Sequence, residues 1–104
     1  TFDRDCLFQR CATQALDGAG IAWRTAFTSP SLAGLWAAAA AGLGVTVRTG
    51  HGLPSSVRVL DEAETGLPAL PALALELLHA SHVPRPPVQR LAALIIESLQ
   101  AAPV

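Results

Sequence analysis

Zinc or proton-transfer chemistry in this 104-residue sequence would have to come from three histidines, two cysteines and eight carboxylates. Either chemistry needs several such groups to converge. His51 stands by itself in the turn-like segment Thr49-Gly50-His51-Gly52-Leu53-Pro54. His79 and His82 lie three residues apart at the end of a strand-like run, a spacing that points strand side chains to opposite faces. Cys6 and Cys11 match neither a CxxC redox pair nor a zinc knuckle, and their helical spacing turns them away from each other. Buried free thiols in a reducing compartment are expected. Asp61, Glu62 and Glu64 sit beside Gly66 and Pro68, an ordinary solvated loop composition. No GxSxG, P-loop or GxGxxG spacing occurs, and Gly42-Leu43-Gly44 lies at a helix exit rather than at a strand-to-helix entry. The sequence predicts no catalytic residue, no metal site, no cofactor and no enzyme activity.

The junction Thr28-Ser29-Pro30-Ser31 suits binding better. Ser29 is predicted as the N-cap of a helix over Pro30–Ala41, with Pro30 in the first helical position. The N–H groups of Ser31 and Leu32 would then emerge without intrahelical partners. With the hydroxyls of Thr28, Ser29 and Ser31 around that positive dipole end, a carboxylate or other small anion is the matching ligand. The junction would also fall at the carboxyl end of a strand, where open α/β sheets place ligands. Thr28, Ser29, Pro30 and Ser31 are therefore the predicted ligand-binding residues, although a merely well-capped helix has the same pattern.

Periodicity supplies the elements that would carry this junction. Phe8, Cys11, Ala12, Ala15, Leu16 and Ala19 form the apolar face of a helix over Asp5–Asp17, with Asp3 or Asp5 to cap it and Gly18 or Gly20 to end it. Strands are predicted at Ile21–Phe27, Val45–Arg48, Val57–Leu60 and Leu73–Leu78. Leu32, Leu35, Trp36, Ala39, Ala40 and Leu43 mark the second helix, and Val88, Leu91, Ala92, Ile95 and Leu99 a last one over Pro87–Gln100. Asp61–Pro71 reads as a loop. This alternation indicates an α/β unit.

Composition limits the partners. Seven arginines, no lysine and eight acidic residues give a net charge of −1, without the basic stripe of a domain that grips nucleic acid. Hydrophobic residues make up 51% and charged residues 14%, which excludes disorder and leaves more apolar surface than a small domain can bury. Thr25–Val47 is free of charge, but Pro30, Gly42, Gly44 and its hydroxyls break it, so no membrane span is expected. With no Met and an abrupt opening at Thr1-Phe2-Asp3, the chain reads as a fragment.

Several runs then resemble the effector-binding domain of LysR-type transcriptional regulators. They are Cys6-Leu7-Phe8-Gln9-Arg10, Ala15-Leu16-Asp17, Gly20-Ile21-Ala22-Trp23-Arg24, Phe27 through Leu35, Ala41-Gly42-Leu43-Gly44-Val45 and Gly66-Leu67-Pro68. The resemblance implies an α/β fold like that of type 2 periplasmic binding proteins, represented mainly by its second subdomain. Residues 1–72 would be part of that subdomain, and residues 73–104 a crossover strand and final helix returning to the first. It further implies a small-molecule effector in an inter-subdomain cleft, with Thr28–Ser31 on one wall. A homo-oligomer (dimer or tetramer), a cytoplasmic location and DNA contact only through a winged helix-turn-helix outside this chain are also implied. A fragment of a type 2 solute-binding protein is the alternative, and an enzyme on the same fold a third.

Overall fold

The computed structural model describes residues 1–3 and 5–101; Arg4 and residues 102–104, the last of the expected 73–104 segment, lie outside the described residues. The described residues form four helices: α1 (Leu7–Gly18), α2 (Leu32–Ala40), α3 (Glu62–Thr65) and α4 (Pro86–Ala101). The first unit of the chain is Thr1–Pro71 and the second Ala72–Val104.

Helix α1 follows its apolar periodicity: Phe8, Cys11, Ala12, Ala15 and Leu16 are half-buried, while Leu7, Arg10, Gln14 and Asp17 face solvent. Its N-cap is Cys6, without a side-chain cap bond, rather than Asp3 or Asp5. Asp5 instead pairs with Arg10 on the helix surface. Beyond Ala19 the chain turns left-handed at Gly20 (φ 69°). There the Gly20 N–H donates to Asp17 O (3.1 Å) and the Ile21 N–H to Leu16 O (2.9 Å). Helix α2 ends in the same way, with Gly42 (φ 78°) donating to Ala39 O and Leu43 to Ala38 O. Both ends are Schellman motifs, which satisfy the last carbonyls where only glycine takes the conformation cheaply.

Helix α3 falls inside the predicted Asp61–Pro71 loop. The Asp61 carboxylate accepts from Ala63 N–H (2.9 Å), Glu62 and Glu64 occupy the first turn, and Gly66 closes it at φ 70°. An acidic cap and acidic first turn favour a helix start. Helix α4 matches its predicted span to within one residue at each end, and none of its residues is buried.

The expected α/β, periplasmic-binding-protein-like fold is not what the chain adopts. It is 41% helical and 2% strand, with no sheet among the described residues. The predicted strands at Ile21–Phe27, Val45–Arg48, Val57–Leu60 and Leu73–Leu78 belong to segments with neither helix nor ladder. Alternating side chains favour an extended backbone, but a strand exists only where a second segment accepts its hydrogen bonds. The described pairing is one parallel bridge, Phe2 to Ser29. Around it, Ser29 N–H donates to Thr1 O (3.0 Å) and the Thr1 amino group donates to Phe27 O (2.8 Å). That is the start of a ladder without its continuation.

Within the first unit, Leu35 on α2 is the buried hydrophobic residue, at 4% exposure. No described helix is long and apolar enough to cross a membrane.

Candidate functional site

The Thr28–Ser31 junction is built differently from its prediction. Ser31, not Ser29, is the N-cap of α2, and its hydroxyl accepts from Gly34 N–H (3.1 Å). Pro30 therefore precedes the helix instead of occupying its first turn. Ser29 is buried, and its hydroxyl accepts from Ser31 N–H (3.1 Å) and donates to Ser31 O (3.2 Å). This is the local side-chain-to-backbone turn that serine readily forms. Two of the three hydroxyls and the Ser31 amide are thus engaged in shaping the junction. Thr28 and Pro30 are exposed.

The packing at this point also explains Gly34. A Cβ there would lie 2.4 Å from Ser29 Oγ and 3.1 Å from Ser29 Cβ. The first turn of α2 rests directly on the serine that shapes its entry. Small size at position 34 is required by contact, although its backbone is ordinary helix.

A pocket of about 270 Å³ opens elsewhere in the first unit. Its wall draws Phe2 from the N-terminal segment, Phe8 and Leu16 from α1, Phe27 from the segment before the junction and Leu35 from α2. Among the described residues no acidic side chain lines it, whereas Arg24 and Arg48 do. Arg48 is half-buried, with its guanidinium carbon 4.4 Å from the centre of the Phe2 ring and 4.8 Å from that of Phe8. Such cation–π contacts are worth about 0.5–2 kcal/mol each. The Arg48 Nε has no solvent contact and no hydrogen-bond partner. A buried donor without an acceptor costs roughly 1–3 kcal/mol. Arg10 and Arg58, by contrast, are paired on the surface with Asp5 and Glu64. None of the sequence-predicted site residues lines this pocket. The sequence reading treated Arg48 as the end of a strand, and no local pattern announces its meeting with Phe2 and Phe8.

The remaining candidates stay apart. His51 is half-buried in a turn, and His79 and His82 are exposed. Cys6 and Cys11 are free thiols, half-buried rather than enclosed as expected. Among the described residues, no three His, Cys, Asp or Glu side chains are placed to hold a metal ion.

No protein-family model matches the chain. Over 69 residues it is 41% identical to the HTH-type transcriptional regulator PecT of Dickeya dadantii (strain 3937). The matched stretch covers 66% of this chain and 22% of PecT, so the chain spans less than a quarter of that regulator. The similarity supports the resemblance to LysR-type transcription regulators.

Proposed function

We propose that the chain is the effector-sensing part of a bacterial LysR-type transcription regulator. The carrying observation is its 41% identity over 69 residues to a transcriptional regulator. In this reading the protein is cytoplasmic, has no catalytic activity and assembles as a dimer or tetramer. It reaches DNA through a winged helix-turn-helix outside this chain. A small organic anion would act by binding one conformation better than another, and that difference in affinity is what shifts the regulator's state. The proposal does not require a two-lobed, sheet-based cleft.

At the junction, the groups left to a ligand are the Thr28 hydroxyl, the O–H of the exposed Ser31, whose oxygen accepts from Gly34 N–H, and the N–H groups of Leu32 and Ala33 at the start of α2. A helix N-terminus favours an anion by about 0.3–1 kcal/mol at an exposed position, so these groups need further contacts to give useful affinity. Thr28→Val keeps the side-chain shape and removes the hydroxyl. It should weaken effector binding several-fold in calorimetric titration of the intact regulator, with the melting temperature unchanged. Equal affinity in the variant would remove Thr28 from the site. Ser31→Ala is a poorer probe, because it deletes the N-cap and costs about 1 kcal/mol of stability by itself.

The coding sequence ahead of Thr1 tests the wider reading. An in-frame winged helix-turn-helix is the expected finding. An export signal there would overturn it.

A further inference from the structure

We infer that Thr1-Phe2 is a releasable strap, fastened by Arg48, whose closure holds Ser29 and with it the entry to α2. This conformational device goes beyond the regulator reading and does not rest on it. The observation is that one short segment is held in two places, by its side chain at Arg48 and by its backbone at the junction.

The Arg48 guanidinium carbon stands 4.4 Å from the centre of the Phe2 ring and 4.8 Å from that of Phe8, so one cation engages a ring of the strap and a ring of α1. On the backbone side, Phe2 bridges in parallel to Ser29. Thr1 O accepts Ser29 N–H (3.0 Å), and the Thr1 nitrogen donates to Phe27 O (2.8 Å). Ser29 passes the constraint on, because its hydroxyl bonds both the N–H and the carbonyl of Ser31, the N-cap of α2. Phe8, Arg48, Phe2, Ser29 and Ser31 thus form a contiguous chain of contacts from α1 to the start of α2. Such a chain couples its ends only if it has two arrangements.

The fastening supplies them, because it carries opposing terms. The ring contacts favour the closed strap. Against them, the Arg48 Nε is shut off from solvent without an acceptor, a cost that hydration relieves on opening. A segment held so lightly opens by itself, well below the free energy of global unfolding. When it opens, Ser29 N–H and Phe27 O lose their partners together. Thr1 and Phe2 also line the pocket, so its wall opens on that side.

Residue-resolved amide hydrogen exchange on the purified protein tests the strap. The reporter is Ser29 N–H, and the reference is the set of amides in the middle of α1. Phe2→Leu keeps an apolar side chain and removes the ring. It should speed Ser29 exchange by about 2- to 30-fold while leaving the α1 amides unchanged. Phe2→Tyr keeps the ring and should stay within about twofold of the unaltered protein. Arg48→Gln alone mixes two effects, since it removes the orphaned Nε together with the cation. Its use is as a background: there Phe2→Leu should change Ser29 exchange by less than about twofold, because the ring has lost its cation. Three results would overturn the proposal. Ser29 exchange could be unaltered in Phe2→Leu; the α1 amides could accelerate by the same factor, which is what a merely structural role gives; or Phe2→Leu could act equally in both backgrounds.

Discussion

Ser29 and Gly34 form a contact whose energetic sign can be worked out. In an exposed helix, replacing glycine by alanine stabilises by about 1 kcal/mol through backbone entropy. At position 34 the new methyl would meet Ser29 Oγ at 2.4 Å, and that hydroxyl is held by Ser31 at both its donor and its acceptor sides. Ser29 is only 7% exposed, so it has little room to retreat. Overpacking of this kind costs about 1–3 kcal/mol. Gly34→Ala should therefore lower stability in urea titration in spite of its better propensity. In a Ser29→Gly background the clash disappears, and the same substitution should become neutral or stabilising. A double-mutant cycle should give a coupling of about 0.5–3 kcal/mol. If Gly34→Ala stabilises the otherwise unaltered protein, the contact is not as tight as described. The same residues correct the sequence reading: a Ser-Pro-Ser run offers two possible caps. Ser29 Oγ takes only the Ser31 N–H two residues on, whereas Ser31 Oγ reaches Gly34 N–H across three residues and the helix begins after it.

At the scale of elements, what the sequence made legible was what neighbouring residues decide. The apolar faces of α1 and α4 and the glycines beyond α1 and α2 are local signals, and the helices lie where those signals put them. Helix α3 was missed within the predicted Asp61–Pro71 loop, because the cap at Asp61 and the glycine at Gly66 frame only four residues and the surrounding loop composition outweighed them. The strands were not legible, because alternation at Ile21–Phe27 or Val45–Arg48 fixes the side-chain faces without specifying a partner. The Arg48 pocket was hidden for the same reason, since Phe2, Phe8 and Arg48 meet only through the fold. Gly42 and Gly18 provide a test of the local signals. A Cβ at either would meet nothing within 4 Å, but Gly42 has φ 78° and Gly18 is helical. Gly42→Ala should cost about 1–2 kcal/mol from left-handed backbone strain, with faster amide exchange in the last turn of α2. Gly18→Ala should stabilise by up to about 1 kcal/mol. If both changes moved stability in the same direction, the Schellman assignment of Gly42 would be in error.

For the whole molecule the governing quantity is surface. Many of the large hydrophobic side chains of both units are exposed. In the second unit Leu75, Leu78 and Val83 are more than two-thirds exposed, and Val88, Leu91, Ile95 and Leu99 of α4 also remain open to solvent. Apolar area of that extent drives association. The chain by itself should therefore sediment as a concentration-dependent mixture and bind an apolar dye such as ANS. Charges placed along the α4 stripe test whether this helix is responsible. Leu91→Glu and Ile95→Lys sit four residues apart in an acid-then-base order that supports a helix, so the helix itself should be retained. Because neither side chain is buried in the chain, the double variant should lose little intrinsic stability while its association constant falls sharply. Sedimentation velocity across a range of concentrations, with circular dichroism alongside, decides the matter. A single compact monomer for the unaltered chain would contradict the surface argument. Association that survives both charges would move its cause from α4 to the other exposed apolar residues.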